Sequence, residues 1–147
     1  MKLSTRGRYA ARLMLDLAIH QGDGFVHLKD VGVRQQISRK YLSQLITPLK
    51  KAGLIASSRG AHGGYRLARA PGDIRLGDVV WAVEGDLSVV ECVTAPDVCQ
   101  RVDECVTRDI WELLRDRIVE TLDAITLEDM VGRHRQKQGL QAPMWHI

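Results

Sequence analysis

Aromatic residues make up only 5% of this 147-residue chain, with a single Phe, and cysteine occurs three times. An odd, small number of cysteines argues against a disulfide framework and leaves metal ligation or a reactive thiol. No apolar run approaches the ~20 residues needed to span a bilayer, and the start MKLSTRGRY lacks the apolar region of a signal peptide. A cytoplasmic protein without a membrane partner is therefore expected. Neither G-x-G-x-x-G nor the P-loop pattern occurs. With no evident nucleophile–base pair either, a redox or metal-dependent enzyme acting on a small-molecule substrate is the least favoured class. What is present is enough hydrophobic sequence, 45%, for a buried core. The length suits one domain, or one small domain with an appendage.

The formal net charge of +3 conceals a division. Residues 1–70 carry 13 Lys and Arg against 3 Asp, a net of +10, whereas residues 71–147 carry 8 against 15, a net of −7. A basic half is the electrostatic footprint of phosphate-backbone binding, and an acidic half is repelled by it. The two halves are expected to face different partners.

Along the chain, Ser4 or Thr5 caps a first helix reaching about Gln21, with Tyr9, Ala10, Leu13, Met14, Leu17 and Ala18 on one apolar face. Gly22 and Gly24 end it. A second helix is expected near Lys29–Gln36, with His27 before it as a partly exposed structural residue. Ser38 then caps a third helix over Arg39–Ala52, closed by Gly53, in which Leu42, Leu45, Ile46 and Leu49 form the packed side. Pro48 should kink or loosen its last turns. Helix, short turn and a helix opening on basic and amide side chains form a helix-turn-helix, whose second helix enters the major groove. Gln44 suits adenine, and Arg39 suits guanine or a phosphate.

Two extended runs around Gly60, Gly63 and Gly64 follow as a β-hairpin wing, with Arg59 beside the turn and His62 at its tip, suited to the minor groove. A fourth helix over Leu76–Glu84 leaves Trp81 as core or interface anchor. A long helix from Thr107 to about Ala124 repeats Trp111, Leu114, Ile118 and Leu122 in nearly a heptad seam, which predicts a dimer interface. Thr126 to Asp129 approximates a capping box for a short last helix, and the tail beyond it is expected to be mobile, with His134 and His146 exposed.

All three cysteines lie in ECVTAPDVCQRVDEC, residues 91–105, spaced C-x6-C-x5-C in a polar loop broken by Pro96. Buried free cysteine commonly serves as a small hydrophobe, but three in one polar loop favour metal or redox chemistry. Glu91, Asp97, Asp103 and Glu104 flank them with only Arg101 opposed, an environment that raises thiol pKa and disfavours a bare thiolate sensor. Zinc usually takes paired knuckles and a fourth ligand nearby. Wide spacing suits a multi-atom cluster better, although iron–sulfur clusters normally take four protein ligands.

MKLSTRGRYAARLMLDLA, ISRKYLSQLITPLKKAGLI, SSRGAHGGYRLA, the three-cysteine loop and ITLEDMV together make residues 1 to about 131 resemble the Rrf2 family of winged-helix transcription regulators. The family includes regulators that sense iron–sulfur status and nitric oxide. The resemblance implies a homodimer binding a palindromic promoter site on double-stranded DNA, with a two-iron or four-iron sulfur cluster held by Cys92, Cys99 and Cys105. Where some members carry a His ligand this chain has Arg108, and where others carry an Asp it has Arg8. Asp103, Glu104, Asp109 and the partner subunit's His20 are then the candidates for a fourth ligand, with a small thiol or water as the external alternatives.

The expected architecture is thus mainly α with a small β-hairpin wing. It comprises a winged helix-turn-helix domain over 1–70, a connecting helix over 71–90, a cluster-binding loop over 91–105, a dimerisation helix with a short closing helix over 106–131, and a tail over 132–147. The expected DNA-contacting residues are Lys2, Arg8, Ser38, Arg39, Lys40, Tyr41, Ser43, Gln44, Lys50, Arg59 and His62. The expected function is a non-enzymatic regulator, a repressor responding to its cluster. The competing regulatory reading is a thiol switch, or control by a small molecule or partner, without a cluster.

Overall fold

A computed structural model describes residues 2–141. The order of the main elements is α1 (Thr5–Ile19), α2 (Leu28–Gln35), α3 (Arg39–Lys51), β1 (Ile55–Ser58), β2 (Gly64–Leu67), α4 (Leu76–Glu84), α5 (Glu91–Thr94), α6 (Val106–Asp123) and α7 (Leu127–Gln141). Seven helices and a two-stranded antiparallel hairpin are therefore present among the described residues, in the class the sequence implies.

One core joins α1 to α4 and α7. The buried face of α1 supplies Ala10, Leu13, Met14, Leu17 and Ala18; α3 supplies Leu42, Leu45, Ile46 and Leu49; α4 and α7 add Val79 and Leu127. This is the i, i+3, i+4, i+7 stripe of an amphipathic helix met from several sides. The hydroxyls of Ser4 and Ser38 accept from the backbone N–H of Gly7 and Tyr41, as capping of α1 and α3 requires. The turn between α2 and α3 is closed by Gln36 in the left-handed region at φ 55°.

The wing pairs Ile55 with Leu67 and Ser58 with Gly64. Its second strand also bonds back to the start of the helix-turn-helix: Val26 and Tyr65 exchange both backbone hydrogen bonds at 2.8 Å. Glycine is required at 64, where φ is +143° and a Cβ would meet the Val26 carbonyl oxygen at 2.4 Å. A second tie joins the two halves of the chain. Leu76 donates to the carbonyl of Ile125 at 2.7 Å, and Leu127 donates to that of Ile74 at 2.9 Å.

Several expectations need correction. Helix α1 ends at Ile19, because His20 N–H closes it on the Asp16 carbonyl and Gln21–Asp23 forms a 3-10 turn. Helix α3 ends at Lys51 rather than Ala52, running on past Pro48, with Gly53 beyond it at φ +74°. The cysteine segment is less irregular than expected, containing α5 and 3-10 turns at Pro96–Val98 and Val102–Glu104. The last helix is not short, nor does the tail begin at 132. Thr126 and Asp129 form a reciprocal cap at 2.9 and 3.1 Å, Val131 is buried, and the Arg-, Gln- and Lys-rich sequence after it favours helix as far as Gln141. His134 is half-buried rather than exposed, and His146 lies outside the described residues.

Candidate nucleic-acid interface and cysteine segment

The first turns of α1 and α3 and the wing carry exposed cations. Arg39, Lys40, Ser43 and Gln44 lie exposed on α3, opposite the buried stripe of Leu42, Leu45 and Leu49. Tyr41 is half-buried, its ring edge-on to Tyr9 at 5.4 Å and 77°, so its role includes fixing α3 against α1. Arg12 lies over the Tyr9 ring and bonds Gln35 through Nε at 3.2 Å. Lys2, Arg8, Arg59 and His62 are exposed, and Arg8 donates to Thr5 at 3.2 Å. Lys50 is already engaged, donating to Ser57 of the wing at 2.6 Å. In a winged helix-turn-helix the exposed side of α3 is the one that enters the major groove, while the wing tip can reach the flanking minor groove.

Beneath this face lies a feature the sequence does not announce. Asp16 is 1% exposed on α1. Arg34 grips it with Nε at 3.0 Å and Nη2 at 2.7 Å, Gln35 donates at 3.0 Å, and His20 Nδ1 lies 3.5 Å from its carboxylate. The hydrogen bond to Asp16 holds the Arg34 guanidinium above its usual pKa. The network fastens α2 to α1 just before the turn that launches α3. Position 16 faces the core side of α1, so a carboxylate amid the apolar stripe was the available clue.

The three thiols are free. Cys92 and Cys105 are half-buried, and Cys99 is exposed. Cys105 is the N-cap residue of α6, and its sulfur lies 3.2 Å from the Thr107 hydroxyl. That hydrogen bond, reinforced by the backbone N–H groups of Arg108 and Thr107 and by the charge of Arg101, holds the Cys105 thiol below its ordinary pKa. For Cys105 this runs against the sequence argument from acidic flanks. Local donors at the start of α6 outweigh carboxylates that point to solvent.

Arg108 is engaged as a brace: Nε donates to the Cys92 carbonyl at 3.1 Å and Nη2 pairs with Glu112 at 3.1 Å. Asp103, Glu104 and Asp109 are exposed, and His20 is held by Asp16. Among the described residues no three His, Cys, Asp or Glu side chains converge to hold a metal ion. Three unpaired thiols on one segment nonetheless fit an iron–sulfur group in kind, falling one short of the usual ligand number.

The seam expected on α6 divides. Trp111 and Leu114 are 38% and 37% exposed, and Val106, Ile110 and Leu113, which the heptad reading missed, are more exposed still. Ile118 and Leu122 are half-buried and line a cleft of about 440 Å³ with Leu3, Leu87 and Val89 of the same chain, rimmed by Lys2, Glu84 and Asp86. No residue of α6 is buried.

The Rrf2 family profile, described as "Iron-dependent Transcriptional regulator", matches residues 3–133. The chain belongs to the Rrf2 family. This Rrf2 protein is 46% identical to Protein rrf2 of Nitratidesulfovibrio vulgaris over 131 residues, covering 89% of this chain and 87% of that one. Its fold is similar to that of CymR, the global cysteine regulator of B. subtilis, with a TM-score of 0.77, 38% identity and coverage of 90% and 98%. It is also similar to T. potens IscR, with a TM-score of 0.75, 42% identity and coverage of 100% and 94%. The Rrf2 protein is accordingly a DNA-binding winged-helix transcriptional regulator with three cysteines. It resembles transcriptional regulators, not enzymes.

Proposed function

We propose that this Rrf2 protein is a homodimeric repressor that binds a palindromic promoter site and reports the state of its 91–105 segment, where Cys92, Cys99 and Cys105 hold an iron–sulfur cluster. The observation that carries the reading is that all three cysteines are free and none belongs to the core. Cysteines kept for packing would be buried with it. A cluster bound there would supply a centre sensitive to redox change or nitric oxide. The chain's own part is to connect that centre to the DNA-binding face. Cys105 begins α6, Arg108 ties α6 to the Cys92 backbone, and the exposed Val106, Ile110 and Leu113 suit a second copy of the same helix. Two recognition helices must match successive major grooves, so a shift in the α6 pairing changes operator affinity.

The test is anaerobic purification with iron and sulfide analysis, visible absorption and a DNA-shift assay on promoter fragments. A coloured protein whose absorption is lost in Cys92→Ala supports the reading. A colourless, iron-free protein with normal operator control overturns it. A second reading, a thiol switch, is favoured by one observation, the lowered pKa of Cys105. It predicts regulation by oxidants in iron-free protein that Cys105→Ser abolishes.

A further inference from the structure

A cleft of about 480 Å³ opens between α2, α3 and the base of the wing, lined by His27, Lys29, Asp30, Arg39, Ser43 and Tyr65 among others. We propose that it seats one backbone phosphate of duplex DNA, with Lys29 and Arg39 as its cations and Ser43 and Tyr65 as hydroxyl donors. The proposal rests on the DNA-binding reading and adds to it residues on α2, Lys29 foremost, that the recognition helix does not provide.

Three observations carry it. The first is engagement: the side chains of Lys29, Arg39 and Ser43 are exposed and that of Tyr65 half-buried, and none makes a hydrogen bond or ion pair to another described residue, whereas Arg12, Arg34 and Lys50 are bound to Gln35, Asp16 and Ser57. The second is position. The cleft is shared by the first helix of the helix-turn-helix, which crosses the DNA backbone, and the second, which lies in the groove. A site spanning both falls where a strand borders the major groove, so it meets phosphate rather than base edges. The third is rigidity. The paired backbone bonds of Val26 and Tyr65 and the close approach at Gly64 fix the wing base as one wall. The volume lies within the roughly 300–1,000 Å³ of clefts that seat small organic groups, which admits a sugar–phosphate unit. Asp30 is the one opposing charge, and its field acts on Arg34 within the same helix.

The experiment compares wild type with Lys29→Ala and Lys29→Gln on two probes across a salt series. One is an operator selected by wild type from a random pool; the other is a short random-sequence duplex. Affinity for both probes should fall by the same factor, about three- to tenfold, and the log–log salt slope should become shallower by about 0.9. On operators carrying single neutral methylphosphonates, one position should weaken wild type and leave Lys29→Ala unaffected. An unchanged affinity and slope, or a loss confined to the selected operator with its slope intact, overturns the phosphate site while the DNA-binding reading stands. Failure of wild type to bind either duplex overturns both.

Discussion

Removing the Asp16 carboxylate tests whether the buried network beneath the helix-turn-helix stabilises the fold. Its two Arg34 bonds and the Gln35 bond, at 2.7 to 3.0 Å, are charge-assisted, and such bonds contribute about 1.5–3 kcal/mol each where both groups are dry. Arg34 is not dry: its side chain is 35% exposed, so water recovers much of the guanidinium when its partner is lost. Asp16→Ala is therefore expected to cost about 2–4 kcal/mol, a large share of the roughly 5–15 kcal/mol that holds a domain folded. Arg34→Ala should cost more, about 3–5 kcal/mol, because it strands a buried carboxylate. The double variant should cost less than the sum, since the second deletion removes the stranded charge. Urea unfolding followed by circular dichroism, at one fixed protein concentration so that any subunit association is held constant, measures all four corners of the cycle. An Asp16→Ala loss under about 0.5 kcal/mol, or strict additivity of the pair, would refute the reasoning.

Gly7→Ala places a Cβ 2.6 Å from the Glu84 carboxylate that accepts the Gly7 N–H at 2.9 Å; that carboxylate ends a flexible side chain and can turn aside at the cost of its bond, which the helix propensity of Ala offsets, so a net change within about 1 kcal/mol is expected, and a loss above about 3 kcal/mol would sink the assignment. In metal-free protein, the alkylation rate of Cys105 should rise with pH through a midpoint below that of an ordinary thiol, since the thiolate reacts and its pKa is lowered chiefly by Thr107. Thr107→Val should move that midpoint up, and a midpoint already at or above the ordinary value contradicts the geometry. Arg108→Ala removes the brace on the Cys92 carbonyl, so amide exchange around residues 92–95 should quicken while the global midpoint barely moves; unchanged exchange there would show that the segment is held by other contacts.

The elements were legible where periodicity was strong. The apolar stripes of α1 and α3, the Ser4 and Ser38 caps, the glycine-marked wing and the Thr126–Asp129 box all translate directly into bonds and burial. Three features were not. The extent of α7 depends on helix propensity in a stretch without an apolar period, so polarity read as tail. The Asp16 network depends on Arg34 and Gln35 arriving from another helix, which one-dimensional pattern cannot foresee. On α6 the seam at Trp111, Leu114, Ile118 and Leu122 conflates two stripes. The lower half turns toward Leu3 and Leu87 of its own chain, while Ile110 and Leu113 hold the open side. The acidity of the cysteine segment also misled, because net charge over fifteen residues says less about Cys105 than one hydroxyl at 3.2 Å.

The segment that carries the cysteines meets the rest of the molecule chiefly through α6. Arg108 holds the Cys92 backbone, Arg115 holds Asp86 at 3.2 Å, and Cys105 is itself the first turn's cap. In the proposed dimer, a change at the thiols would act first on the helix whose Val106, Ile110 and Leu113 are exposed, and through it on the pairing of two copies. A second route runs from the end of α4. Glu84 accepts from Ser4 and Gly7 at the start of α1, beside the exposed Lys2 and Arg8, and only Gly85, at φ +74°, separates it from Asp86. If coupling ran along this second route, Glu84→Ala would change the operator affinity of a single protomer tethered to no partner. If it runs through α6, Leu113→Asp, which places a charge on the open stripe, should abolish both dimer formation and the response to the thiols while leaving α1 and its cap intact. Sedimentation and a DNA-shift assay on these two variants weigh the two sets of contacts, which meet at the Arg115–Asp86 pair.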